Sequence, residues 1–126
     1  MNISVLGGGR WGSFIGWYLV NNGHNVVQWG RSDSKSFNVL KVSGKNEYVE
    51  LDKRINLTDD LKYAVESSDV IIISISAQNL RSFMKNVLKY DISNKKFVLC
   101  MVLTKNNSTK HLLKLKKCQE FTVLTS

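Results

Sequence analysis

Residues 3–12 read Ile-Ser-Val-Leu-Gly-Gly-Gly-Arg-Trp-Gly, with Gly16 about one helical turn further on. A short apolar run leads into Gly-x-Gly-x-x-Gly and then into a helical pattern, and few local structures accommodate that order. Gly7 permits the tight turn off a strand, Gly9 lets backbone approach a pyrophosphate, and Gly12 lets the new helix sit close to the sheet. Gly8 lies between them. Phosphates at such a loop meet helix N-terminal N–H groups and the positive end of the helix dipole. Arg10 and Trp11 fill the two variable positions at the helix start. Their N–H groups face the pyrophosphate, and the Arg10 side chain adds charge. A surface arginine and a tryptophan packed on the sheet are the plain alternatives. The six-residue pattern is weak alone and gains weight from the strand before it and the helix after it.

The rest of the chain alternates in the same way. Residues 2–6 read as a buried strand. Arg10 to about Asn22 reads as a helix, with Trp11, Phe14, Ile15, Tyr18 and Leu19 at helical spacing and Asn22-Gly23 as its stop. Asn25 to Trp29 is a second strand, followed by a turn through Asp33, a weak helix from Lys35 to Val42 and an irregular stretch through Ile55. Thr58 is the expected N-cap of a helix carrying Leu61, Ala64 and Val65 inward, with Asp59 and Asp60 suited to its dipole. Asp69 to Ile75 is nearly all apolar and reads as a strand buried on both faces. Gln78 to Tyr90 reads as a helix with Leu80, Phe83, Met84, Val87 and Leu88 on one side, and Lys96 to Met101 as a further strand. Strands alternating with helices predict a doubly wound, parallel α/β sheet. At 126 residues, 43% hydrophobic and 22% charged, the chain has the size and balance of one globular domain.

In such a sheet the second strand commonly ends in an acid that binds a ribose 2′-hydroxyl. Here the segment is Val27-Gln28-Trp29-Gly30-Arg31-Ser32, with Lys35 close by and no acid at the tip. An arginine suits a 2′-phosphate through charge-assisted bonds, so NADP(H) is favoured and NAD(H) remains open. The alternative for Arg31 is a solvent-exposed turn. Ser74, Ser76 and Gln78 fall at the ligand edge of the sheet and suit the nicotinamide side, Ser76 also suiting a helix cap. Asp59, Asp60 and Asp69 sit at element starts, as capping residues do. Cys100 and Cys118, with only His24 and His111 as companions, have no metal-ligand spacing and read as reduced thiols. The apolar runs are too short to cross a bilayer and Met1-Asn2 opens no basic leader, which implies a cytoplasmic chain without membrane insertion. Half of the net charge of +8 falls in the last fifth, with Lys105, Lys110, Lys114, Lys116 and Lys117 against Glu120. Elsewhere the basic residues are scattered without aromatic interleaving, which fits a small anionic ligand rather than nucleic acid.

Taken together, residues 1–101 resemble the N-terminal half of a bacterial-type NAD(P)-dependent glycerol-3-phosphate dehydrogenase. The similarity rests on Gly7-Gly8-Gly9-Arg10-Trp11-Gly12, on Trp29-Gly30-Arg31, on Tyr48, and on the run from Ser68 to Arg81. The resemblance implies a Rossmann-like dinucleotide-binding domain followed by an all-helical substrate domain. It implies cofactor contacts from Gly7 to Gly12, Arg31, Ser32 and Tyr48. The implied reaction is hydride transfer between NAD(P)H and dihydroxyacetone phosphate, giving sn-glycerol 3-phosphate for glycerophospholipid synthesis. The chain departs from the family in having Ser76 where a proline is usual. It also has Val102-Leu103 where a Lys-Gly pair, whose lysine contacts substrate phosphate and cofactor, normally follows the strand.

After Met101 the family pattern stops. All eight glycines lie at or before Gly44, and residues 102–126 turn rich in lysine, leucine, threonine and asparagine, with a strand-like Phe121 to Leu124. A truncated or frame-shifted coding region would give such a break. The expected organisation is therefore a cofactor domain at 1–101 and a basic tail at 102–126, incomplete without the helical domain and inactive alone. A stand-alone dinucleotide-binding or regulatory module with a basic interaction tail is the alternative. A ketopantoate-reductase relative is disfavoured by Arg10-Trp11 and Trp29-Gly30-Arg31.

Overall fold

A computed structural model describes residues 1–45, 50, 52–100 and 120–124, with the backbone alone at 10, 11, 77 and 120–124. Its strands are β1 (Asn2–Leu6), β2 (Asn25–Trp29), β3 (Asn56–Thr58), β4 (Val70–Ile73), β5 (Lys96–Cys100) and β6 (Glu120–Leu124). Its helices are α1 (Arg10–Asn21), α2 (Lys35–Ser43), α3 (Leu61–Glu66) and α4 (Leu80–Val87), the last preceded by a 3-10 turn at Ala77–Asn79. All strands run parallel in the order β3-β2-β1-β4-β5-β6. The order reverses between β1 and β4, and in open α/β sheets a crevice opens beyond the carboxyl ends at that point.

Strand alternation sends side chains to two cores. Leu6, Ile71, Ile73, Phe97 and Leu99 pack with Ala64, Val65, Leu80, Met84 and Val87 from α3 and α4. Ile3, Val5, Val26 and Ile72 pack with Val20 of α1 and with Phe37 and Leu40 of α2. Burial of the hydrophobic side chains removes apolar surface from water on both faces. A buried Ser4–Ser68 hydroxyl pair, 2.9 Å apart, satisfies the polar groups within the α3 side. Glu120–Leu124 aligns with Lys96–Cys100, so part of the stretch 102–126 lies in the sheet.

Several elements differ in detail from the sequence reading. Asn56–Thr58, which follows the expected irregular stretch and where the sequence reading places no strand, pairs with Val27–Trp29 as β3. That pairing holds Thr58 in the sheet, its carbonyl accepting from Gly30 N at 3.1 Å, and moves the helix start onward. The N-cap of α3 is Asp60 instead of Thr58. Its carboxylate accepts from Tyr63 N at 3.1 Å, while Thr58 Oγ1 accepts from Asp60 N at 3.0 Å. The helix expected over 78–90 divides into the 3-10 turn and α4. Of the stripe expected on α1, Ile15 and Leu19 pack against the core, whereas Phe14 is 49% and Tyr18 55% exposed. The buried positions are Gly12, Ser13, Gly16 and Val20. Bulky residues cannot enter there because a methyl group on Gly12 would come within 2.2 Å of the Gly7 carbonyl oxygen.

Candidate functional site: a phosphate loop at the sheet switch point

The turn from β1 into α1 combines two demands that exclude side chains. Gly7 has φ +146°, and a methyl group there would meet the Ser74 carbonyl oxygen at 2.1 Å. Gly12 packs against the Gly7 carbonyl. Gly7 N donates to Trp29 O at 2.8 Å and Ser74 N to Leu6 O at 2.9 Å, so the turn is tied to the ends of β1, β2 and β4. Gly9 is the N-cap of α1, with no side-chain cap and no acidic residue in the first turn. Helix N-termini leave their first N–H groups without intrahelical partners. A helix that begins uncapped in front of a crevice therefore presents donors and positive dipole to an anion.

That crevice has a volume of about 590 Å³. Gly7, Gly8, Gly9, Gly30, Arg31 and Ser34 line one side, and Ser74, Ile75, Ser76, Asn79, Ser82 and Phe83 the other. Trp29 forms part of the wall: its indole Nε1 donates to Asp59 O at 3.0 Å and its ring stacks on Phe83, 5.2 Å between centroids. Arg31 is exposed, and its Nε lies 3.5 Å from the equally exposed Asp33 carboxylate. Ser34 caps α2, its hydroxyl accepting from Phe37 N at 3.3 Å. A second hollow of about 450 Å³ lies at the opposite strand ends, among Asn2, Asn25, Asn56 and Ser68, away from the glycine loop.

The expected site residues distribute as follows. Gly7, Gly8, Gly9 and Arg31 share the crevice, and Gly12 supports it from behind. Ser32 is outside its lining, with its carbonyl accepting from Asn38 Nδ2 at 3.0 Å. Arg10 and Trp11 open α1, and their side chains are outside the described atoms. Tyr48 and Val102 lie outside the described residues. Ser74 and Ser76 line the crevice, whereas Gln78 does not. Asn79 Nδ2 donates to Ser76 Oγ at 2.7 Å, so Ser76 braces the 3-10 turn. Sequence reasoning missed Phe37 and Gln28. Phe37 is nearly fully buried between Gly8 and Gly30, and Gln28 donates to Gly7 O at 3.2 Å. A polar residue inside an apolar strand was the available signal for Gln28. Among the described residues there is no cluster of three potential metal ligands, and no helix is long and apolar enough to cross a membrane.

The family model described as the NAD-dependent glycerol-3-phosphate dehydrogenase N-terminus matches residues 2–117. A glycerol-3-phosphate dehydrogenase [NAD(P)+] of Thermoanaerobacter sp. (strain X514) is 29% identical over 101 residues, 79% of this chain and 30% of the relative. One from Fusobacterium nucleatum subsp. nucleatum is 33% identical over 91 residues, 69% of this chain and 27% of the relative. The chain thus spans less than a third of the length of these curated relatives. In backbone it superposes on the 2.1 Å crystal structure of glycerol-3-phosphate dehydrogenase from Coxiella burnetii with a TM-score of 0.80 at 18% identity, covering 97% of this chain and 39% of that one.

Proposed function

Because this chain belongs to the N-terminal domain family of NAD-dependent glycerol-3-phosphate dehydrogenases, we propose that its crevice holds NADP(H) in preference to NAD(H). We propose further that the chain is the cofactor-binding part of an oxidoreductase interconverting dihydroxyacetone phosphate and sn-glycerol 3-phosphate, a cytoplasmic step toward glycerophospholipids. The observation that carries the binding reading is the uncapped start of α1 behind Gly7–Gly9, at the strand-order reversal. The residues fit a dinucleotide. Gly9, where a methyl group would meet nothing within 4 Å, leaves open space before the helix start for a pyrophosphate, and Arg31, without an acid at the strand tip, suits a 2′-phosphate.

In this reading the N–H groups of the first turn of α1 bind the pyrophosphate, with Arg10 adding charge. Arg31 and Ser32 receive the ribose side, Tyr48 the adenine side, and Ser74 and Ser76 face toward the nicotinamide. The nicotinamide ring, when bound, supplies or accepts the hydride. Transfer needs donor and acceptor carbons held about 3–3.5 Å apart, and no substrate-holding residue is assigned in these 126 residues.

Calorimetric titration of the chain with NADPH and NADH tests the proposal. Binding of both, tighter for NADPH, is expected. Binding of neither overturns the cofactor reading, and equal or tighter NADH binding overturns the preference alone. The purified chain is expected not to oxidise NADPH with dihydroxyacetone phosphate, and measurable turnover would refute that.

A further inference from the structure

Phe37 stands in the first turn of α2 and is 1% exposed. Its ring abuts two backbone segments that belong to different parts of the crevice. A methyl group on Gly8, in the phosphate loop, would lie 2.4 Å from Phe37 Cδ1 and 3.2 Å from its Cγ. A methyl group on Gly30, the residue before Arg31, would lie 2.3 Å from both Cδ1 and Cγ. Only hydrogen fits at either position while the ring is in place. Behind it the ring shares a core cluster with Val5, Leu40 and Ile55, and Ser34 holds the start of its helix. Dense packing of this kind transmits position rather than absorbing it.

We infer that Phe37 is a positioning residue for the dinucleotide. Its ring sets the separation between the phosphate loop at Gly8 and the turn carrying Arg31, so that one ligand reaches both. The inference rests on the cofactor reading given above. The ring acts as a spacer: its hard contact with a Gly8 methyl is at Cδ1, with Cγ at 3.2 Å, while a Gly30 methyl meets Cδ1 and Cγ equally at 2.3 Å. A smaller side chain lets the two segments close together. A larger residue at Gly8 pushes the loop away from the turn. Either change misaligns two contacts that must be made by a single rigid span of ligand.

The asymmetry of the two contacts provides the test. Valine at 37 removes the δ carbon that clashes hardest with a Gly8 methyl, leaving contacts of 3.2 and 3.3 Å that a small shift relieves, but keeps a γ carbon at the 2.3 Å position that still blocks Gly30. NADPH dissociation constants are measured for the 126-residue chain and for Phe37→Val, Gly8→Ala, Gly30→Ala and the two double variants. Each is measured below its own melting midpoint. Phe37→Val, Gly8→Ala and Gly30→Ala are each expected to weaken binding about tenfold, the scale of an overpacked or mis-spaced contact. On the Phe37→Val background, Gly8→Ala costs less than about threefold, whereas Gly30→Ala still costs about tenfold, a coupling confined to one pair. If Gly8→Ala alone fails to fold, the double variant with Phe37→Val must fold and bind for the inference to stand. Equal costs of Gly8→Ala on both backgrounds, or rescue of both glycine variants alike, overturns it. An unaltered chain that binds neither nucleotide overturns the cofactor reading and this inference together. An unaltered chain that binds but shows no such coupling overturns the spacer role alone.

Discussion

The side-chain amide of Gln28 donates from Nε2 to the carbonyl oxygen of Gly7 at 3.2 Å and to Ser13 Oγ at 3.3 Å, entirely out of solvent. One residue of β2 thereby holds both the turn before α1 and the first turn of the helix itself. A buried carbonyl without a donor is costly, and Gln28→Leu leaves the Gly7 oxygen in that state. The expected loss is about 1–3 kcal/mol of stability, read as a lower urea midpoint. Gln28→Glu is expected to cost more at neutral pH, because it points an ionised carboxylate at a carbonyl dipole. A midpoint unchanged in both variants would show that the bond carries no weight.

Gly12→Ala drives a methyl group to within 2.2 Å of the Gly7 carbonyl oxygen, which is backbone and cannot swing aside. The helix must then move off the sheet. A loss of about 2–3 kcal/mol is expected, together with loss of nucleotide binding. Circular dichroism melting and calorimetry on the same sample would reveal a tolerated alanine, which contradicts the close helix-to-turn contact.

Arg31 and Asp33 form an exposed pair 3.5 Å apart, so the pair itself contributes little to folding. Arg31→Ala is expected to leave the melting temperature nearly unchanged. It is expected to weaken NADPH by about tenfold to a hundredfold, the scale of a charge-assisted bond, while NADH changes by less than about threefold. Asp33→Asn frees the guanidinium and strengthens NADPH binding. Equal effects of Arg31→Ala on the two nucleotides would remove Arg31 from the 2′-phosphate.

Asp52 accepts from the Arg54 side chain at 2.9 and 2.8 Å and from its backbone N at 2.9 Å. The Arg54 guanidinium, first through these bonds, holds the Asp52 carboxyl down at about 2. Because the folded value is depressed, the associated stability is fully present above the ordinary carboxyl range near 4 and disappears as pH falls through about 2. Carboxyl chemical shifts followed by NMR should titrate near that low value. They should return toward the ordinary range in Arg54→Gln. An ordinary titration in the unaltered chain would refute the forked contact.

Much of this architecture was legible in the sequence because its longer elements announce themselves locally. The apolar runs at residues 2–6 and 70–73, the glycine loop and the amphipathic segment around Leu80 each carry their own pattern, and the structure realises them as β1, β4, the α1 turn and α4. β3 was not legible, since three residues with one large apolar side chain, Leu57, become a strand only by pairing with β2. The inner face of α1 was legible at Ile15 and Leu19, which pack on the core, and misread at its aromatic positions for a related reason. Periodicity puts Phe14 and Tyr18 on the inner face with Ile15 and Leu19, but the close approach of helix to turn gives the innermost places to Gly12, Ser13, Gly16 and Val20. In the crevice the glycines and Arg31 were visible from the motif. Phe37 and Gln28 were not, because their partners lie at Gly8, Gly30 and Gly7, brought near only by the fold.

The register Leu6↔Ile73 joins the first strand to one that appears late in the chain. During synthesis from the N-terminus, β1 can recruit β2 early, but its other edge waits until residue 73 has left the ribosome. At roughly 5–20 residues per second that interval lasts several seconds. Throughout it the edge of β1 meant for β4 presents unpaired N–H and C=O groups, and closure of the sheet is set by the arrival of a distant segment rather than by local helix formation. The nascent chain is therefore most vulnerable to wrong pairing in the window before Val70–Ile73 emerges.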